Sequence, residues 1–299
     1  MSPQHLLMAL LISAVWGANL VAIKLGLQQF PPFLLSSLRF TLILVLFLPY
    51  LRVVRGQMVK VLAICVFAGA LHFAATFLGL NLARDASSVA IAVQLNVPFA
   101  TLLAVIFLGE KVHAWRIIGI ILAFTGAVVL GFDPHVFAYI NALFVIAFAA
   151  FVYAVGTVVM RRVKGVGVFQ LQAWIAVVTA PFLISLSLLT EPGAWRHLPE
   201  ITPLTTGAIL FSTFGASIFG HGGMYYLLQR YPVAVVSPFM LLAPVFGVIF
   251  AVLILHDTLT VQMMVGGLIT LAGISIITLR ERRRTAPAME EPIPAPANE

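Results

Sequence analysis

Long apolar runs follow one another through most of this chain, parted only by short polar turns, and no other feature limits its fold so tightly. A hydrocarbon core of about 30 Å takes ~20 apolar helical residues per crossing, and the runs have that length. Their spacing predicts ten membrane helices at about 5–24, 33–51, 59–82, 88–108, 114–131, 136–160, 168–189, 204–229, 233–254 and 261–279. With 62% hydrophobic and 9% charged residues, the chain carries more apolar side chain than a soluble surface of its size can enclose. Spanning strands would read as short alternating segments, so the expected class is an all-α integral membrane protein.

The runs are also written twice. Arg84 and Arg230 stand 146 residues apart, as do Pro98 and Pro244. Glu110 and Asp257, Gly119 and Gly266, and Gly126 and Gly273 stand 147 apart, so one inserted residue reconciles the copies. The echo reaches back weakly to Trp16-Gly17-Ala18-Asn19 with Lys24, against Tyr153-Ala154-Val155-Gly156 with Arg161, at a shift of 137. The expected units are 4–131 and 136–279, followed by a tail, 280–299, too rich in Ala, Pro and Glu to bury anything and expected to be disordered. Five helices per copy is an odd number, so the second copy is expected to lie upside down relative to the first.

Basic residues set the orientation. Arg52, Arg55, Lys60, Lys111, Arg116, Arg161, Arg162, Lys164, Arg230, Arg280, Arg282, Arg283 and Arg284 fall on the side shared by both termini, against Lys24, Arg84 and Arg196 on the other. The positive-inside rule makes the first side cytoplasmic, so both termini are expected there. The net charge of +7 is therefore spread over membrane-flanking turns and calls for no nucleic acid. Met1 to His5 has no lysine or arginine and the first run outlasts a signal h-region, so no cleaved leader is expected. Cys65 is the one cysteine and lies inside a run, which excludes an intramolecular disulfide.

The segment Trp16-Gly17-Ala18-Asn19-Leu20-Val21-Ala22-Ile23-Lys24, the Leu38-Arg39-Phe40 after it, and the twice-written proline, polar turn and Gly-x6-Gly resemble the EamA family of the drug/metabolite transporter superfamily. The resemblance covers residues 5 to 279 and is closest to the bacterial amino-acid exporters of the aromatic type. It implies ten helices and export of small metabolites from the bacterial cell through its inner membrane. The chain departs from an even repeat at Asp257, which stands against Glu110, and at Tyr153, which stands against Trp16.

Polar and aromatic residues expected near mid-membrane form the candidate substrate site: Trp16, Asn19, His72, Thr76, Gln94, His221 and Tyr225. Trp16 and Asn19 are three apart, His72 and Thr76 four apart, and His221 and Tyr225 four apart, so each pair shares a helical face. Such groups are costly in lipid unless they find partners or line a wet cavity. The two histidines are out of register, since a shift of 146 carries His72 to Ile218. Pro98 and Pro244 are candidate helix breaks that free the carbonyls of Gln94 and Met240 for a substrate ammonium, or else simple kinks. Arg39, about six residues into the second helix, is expected to snorkel to the outer interface or to act in gating.

The carboxylates all fall at turns, near helix ends or in the tail, so none is placed for a proton relay in the membrane, and only His72 or His221 is left to titrate there. No phosphate loop, His-Glu-x-x-His or Gly-x-Ser-x-Gly is present, and the histidines lack zinc-cage spacing. The chain is therefore expected to be no enzyme and to need no cofactor or metal. Its expected partners are a small-molecule substrate and the bilayer, and it is expected to work as a monomer by facilitated diffusion. The alternatives are a proton-coupled drug or metabolite antiporter and a polytopic membrane enzyme with a histidine as acid or base.

Overall fold

The computed structural model describes residues 1–82, 93–131, 140–256 and 258–285, and these are helical with short turns and no strand. Helix α1 is Pro3–Gly26, and α2 is Pro32–Phe47 drawn out by a 3-10 turn at Leu48–Tyr50. Helix α3 covers 58–82 in three pieces: Met58–Ile64, a π-helical segment Cys65–Leu71, and His72–Leu82. Then come α4, Asn96–Leu108; α5, Ala114–Gly131; α6, Ile140–Arg161; and α7, Val168–Thr190. Helix α8 covers 203–228, with a second π-helical segment, Ser212–His221, between Pro203–Phe211 and Gly222–Leu228. Helix α9 covers 233–255 and is tightened to 3-10 geometry at Ser237–Leu242, and α10 is Val261–Thr285.

Eight of these helices are long and apolar enough to cross a membrane, while Asn96–Leu108 and Ala114–Leu130 are apolar but shorter. Where both ends of a helix are described, they fall close to the ends expected from hydropathy, except that α10 runs on to Thr285 instead of stopping near 279. The Arg-Glu-Arg-Arg-Arg stretch just past the apolar run has good helix propensity, so leaving the apolar layer does not end the helix. Of the expected features, Arg84, Asp257, the 132–135 turn and the tail from 286 lie outside the described residues.

Local chemistry sets the ends. Ser2 caps α1, its hydroxyl accepting from His5 N–H, and Thr202 caps α8 by accepting from Thr205 N–H; a proline comes next in each case and needs no partner for its nitrogen. Helices α4 and α9 stop in the left-handed conformation at Gly109 (φ 65°) and His256 (φ 58°), whose N–H groups bond back to Ala104 and Ala251. Those two stops are again 147 apart, and the second uses a histidine where glycine is the easy choice.

Packing obeys the repeat. Helix α5 lies against α10 and α2 against α7; α1 meets α9 as α6 meets α4; and α6 meets α3 as α1 meets α8. Exchanging each helix with the one five places on therefore leaves this set of contacts unchanged. Gly119 faces Gly273, and Gly126 faces Gly266 and Thr270, so α5 and α10 run antiparallel. A Cβ on any of these glycines would strike backbone of the other helix, which is why the seven-residue glycine spacing recurs in both. Outward-facing Leu102, Ile106, Ile118, Ile121, Leu253 and Leu268 remain exposed, an apolar girdle suited to lipid.

Candidate functional site

The two π-helical segments interrupt α3 and α8 at matching places in the repeat. Each widens its turns by an extra residue and so rotates the rest of the helix about its axis, and such interruptions recur at functional sites. The first ends just before His72 and the second ends on His221, and the second is longer, ten residues against seven. The shift between the histidines is thus 149, and both imidazoles still reach one cluster.

Within that cluster the aromatic partners are also paired by the repeat. Trp16 of α1 lies 5.1 Å from His221 of α8 between ring centroids, and Tyr153 of α6 lies 4.6 Å from His72 of α3. Phe73 touches both imidazoles, at 4.9 Å from His72 and 5.9 Å from His221. Tyr225 closes the other side at 6.3 Å from His221. Polar edges are anchored: His72 Nδ1 is 3.0 Å from the Ala149 carbonyl, Trp16 Nε1 donates to Ala216 O at 3.2 Å, and Tyr153 Oη is 3.5 Å from His221 Nδ1.

Arg39 is not at an interface. Only 5% exposed, it turns inward, its Nε donating to Ser217 Oγ at 2.6 Å and its guanidinium lying 5.3 Å from the Phe73 ring and 5.5 Å from that of Phe40. The expected snorkelling is not what the side chain does, because Ser217, inside the second π-helical segment, offers it a hydroxyl within the bundle.

Trp16, His72, His221, Tyr225 and Arg39 are therefore brought together. Asn19 stands at the edge, its Oδ1 accepting from Ser212 Oγ at 2.6 Å. No hydrogen bond ties Thr76 or Gln94 to the cluster among the described residues, and the Thr76 hydroxyl is buried without a partner. At the prolines, the Gln94 carbonyl accepts from Val97 N–H at 3.1 Å and the Met240 carbonyl from Ala243 N–H, so the neighbour three residues on takes up each freed acceptor. Two narrow clefts flank the cluster, one lined by Arg39, Ser36, Phe77 and Ser212 and the other by Phe73, Ser217, His221 and Tyr225. Each has room for little more than water, so the site is closed around its own side chains. Among the described residues no three His, Cys, Asp or Glu come together as metal ligands.

Two further residues join elements from opposite halves of the sequence. The Glu191 carboxylate, just past α7, accepts from Phe33 N–H at 2.7 Å and Leu34 N–H at 2.8 Å in the first turn of α2. Glu110, just past α4, accepts from Val233 N–H at 2.8 Å and Ala234 N–H at 3.0 Å in the first turn of α9. Both helices have proline at the cap, Pro31 and Pro232, which supplies no side-chain acceptor. A proline-capped helix with orphan N–H groups, and a lone glutamate at a turn elsewhere, are visible in sequence, and together they signal this arrangement.

Comparison with known proteins agrees with this architecture. A solved crystal structure superposes with a TM-score of 0.78 over 95% of this chain and all of its own, at 21% identity, a likeness of fold. A protein of Escherichia coli K12 named as a probable amino-acid metabolite efflux pump is 30% identical over 95% of this chain and 98% of its own length. Its namesake in Salmonella typhimurium is 32% identical over 96% and 99%, and an uncharacterized transporter of Archaeoglobus fulgidus is 28% identical over 88% and 94%. The EamA-like transporter family matches residues 4–132 and again 140–279. With both stretches matched, relatives aligned nearly end to end and a bundle of apolar helices girdled for lipid, this chain belongs to the EamA-like transporter family and is a multi-pass membrane transporter.

Proposed function

We propose that the protein exports small amphipathic metabolites, amino acids with neutral or aromatic side chains foremost, across the bacterial inner membrane by alternating access. The observation that carries this reading is the enclosed cluster of Trp16, His72, Phe73, Tyr153, His221 and Tyr225 around Arg39, contributed by both halves of the chain. Its rings offer an apolar body contact and its imidazoles and guanidinium a polar one, as an amphipathic solute requires. The names of the Escherichia coli and Salmonella relatives support the choice of substrate and of membrane.

In this reading ten helices cross the membrane as two inverted halves, 4–131 and 136–279, with both termini cytoplasmic. The contact set that survives exchange of helices five apart supports it, as does the antiparallel α5–α10 pair. Further support comes from hydrogen bonds between turns, which join turns assigned to one side: Gln57 with Lys164, Gln170 with Arg52, and Gln29 with Glu200. Two halves related in this way have two mirror-related arrangements, one open to each face, and the closed cluster lies between them. Substrate runs down its own gradient, because among the described residues no carboxylate sits within the helical core and the two glutamates nearest the bundle are engaged at helix ends.

The test is reconstitution in liposomes with a panel of labelled amino acids, comparing wild type with Trp16→Ala and His72→Ala. Both variants should fold and lose most of the flux. A wild type that moves no amino acid, or two variants with undiminished flux, would sink the reading.

A further inference from the structure

We propose that Arg39 receives the carboxylate of the transported amino acid, an assignment that rests on the amino-acid export reading above. Arg39 is the eighth residue of α2, about 10 Å along the helix, and is buried with its charge among apolar helices. An ion placed there without a counter-ion is strongly disfavoured, and intramembrane charges persist where function holds them. Among the described residues no carboxylate pairs with it and its one hydrogen bond is to the neutral Ser217 hydroxyl. Glu110 and Glu191, which face the bundle, are turned to the backbone at helix ends.

A guanidinium carries five N–H donors in a flat fork, and among the described residues only Nε is engaged. The bond to Ser217 fixes the plane of the fork and leaves the paired Nη groups for two parallel bonds to a carboxylate. Arg39 also lines one cleft, while the cleft beside it is walled by Phe73, Ser217, His221 and Tyr225. A carboxylate at the fork therefore puts an amino acid's side chain among the rings. The repeat supplies no second cation to compete: α7, which pairs with α2, carries no lysine or arginine between Val168 and Thr190. Arg39 is thus a charged element that the repeat does not duplicate, beside the paired Trp16 and Tyr153, as recognition of a solute with one charged end demands.

The experiment measures binding of labelled phenylalanine to the purified full-length protein in detergent, with two unlabelled competitors. 3-Phenylpropanoate keeps the carboxylate and lacks the ammonium; 2-phenylethylamine keeps the ammonium and lacks the carboxylate. Wild type should prefer the acid by roughly tenfold or more, in line with a hydrogen-bonded charge pair. Arg39→Gln should bring the two competitors within about twofold of each other, and Arg39→Lys, which keeps charge but not the fork, should fall between. Should Arg39→Gln fail to fold, Arg39→Lys and Ser217→Ala, which frees the fork to turn, carry the comparison and should each shrink the preference.

Loss of affinity for both competitors alike in the Arg39 variants would make Arg39 a packing element and overturn the assignment. So would a wild type that binds phenylalanine but treats the two competitors equally, and in that case the export reading stands. A wild type that neither binds nor transports any amino acid removes the export reading and this assignment with it.

Discussion

Removing the Glu191 carboxylate tests how the two halves are held together. Its two oxygens accept from Phe33 and Leu34 N–H at 2.7 and 2.8 Å, and the Ser187 hydroxyl donates to it at 2.7 Å while accepting from Trp195 Nε1 at 3.1 Å. Pro31 supplies no alternative cap, so Glu191→Ala leaves two N–H groups at the positive end of α2 without an acceptor. A hydrogen bond to a charged group is worth about 1.5–3 kcal/mol, but the site is half-buried and water can replace part of each bond, so a net loss of about 2 kcal/mol is expected. Glu191→Gln keeps one acceptor oxygen and loses the charge, for about 1 kcal/mol. At roughly 2–4 °C per kcal/mol for a chain of this order of size, thermal unfolding in detergent should move down by about 4–8 °C for alanine and half that for glutamine. Glu110→Ala, which uncaps Val233 and Ala234, should behave alike. Glu200→Ala is the control, since Glu200 meets His197 at 3.2 Å with both side chains well exposed, and should change little. Unchanged melting of Glu191→Ala, or an equal drop in Glu200→Ala, would refute the claim that these carboxylates hold helix ends across the halves.

Three other outcomes are expected. Gly126→Leu, whose side chain would enter the Thr270 and Gly266 backbone, should abolish monodisperse protein on gel filtration, whereas Gly207→Ala, with open space around it, should be accepted. Single cysteines at Arg55 and Arg162 in a Cys65→Ser background should react with a membrane-impermeant maleimide only after the cytoplasmic side is opened, and one at Arg196 should react in intact cells; the reverse pattern rules out the proposed topology. An imposed pH step with no substrate gradient should drive no accumulation in liposomes, and uphill accumulation lost in His72→Gln or His221→Gln would put a proton-coupled antiporter in its place.

Much of the fold could be read from hydropathy, because a helix in lipid satisfies its own backbone and its length is set by the layer it crosses. The glycine register was legible for a related reason: Gly119, Gly126, Gly266 and Gly273 have to be small to let α5 and α10 touch, and close packing leaves no substitute. The run of α10 past 279 was not legible, since hydropathy reports where a helix leaves the apolar layer and not where its hydrogen bonds stop. The π-helical segments escaped for a like reason. Cys65–Leu71 is apolar throughout, and Ser212–His221, though it holds Ser212, Thr213, Ser217 and His221, has no proline to mark a break; an extra residue in a turn changes which way side chains point without changing composition.

That rotation explains why the site was only half visible. Spacing by three or four residues picked out Trp16, His72, His221 and Tyr225 because each is conspicuous on an apolar face, yet it set the histidines in conflict, out of register by three residues at the shift of 146. A π-helical segment leads up to each histidine and changes which way the side chains there point, and each histidine meets the aromatic that the repeat assigns it, Tyr153 for His72 and Trp16 for His221. Tyr153 was in view as the counterpart of Trp16, and a departure from the repeat at a matched position is itself a pointer to the cluster. Arg39 required the partner helix, because no rule confined to α2 separates an arginine that climbs to water from one that Ser217 of α8 holds in place. In a bundle whose helices are all apolar, a polar group's role is set by the acceptors within its reach, and among the described residues the acceptor for Arg39 is the neutral Ser217 hydroxyl, which leaves its charge without a counter-ion there and is the ground for assigning it a substrate carboxylate.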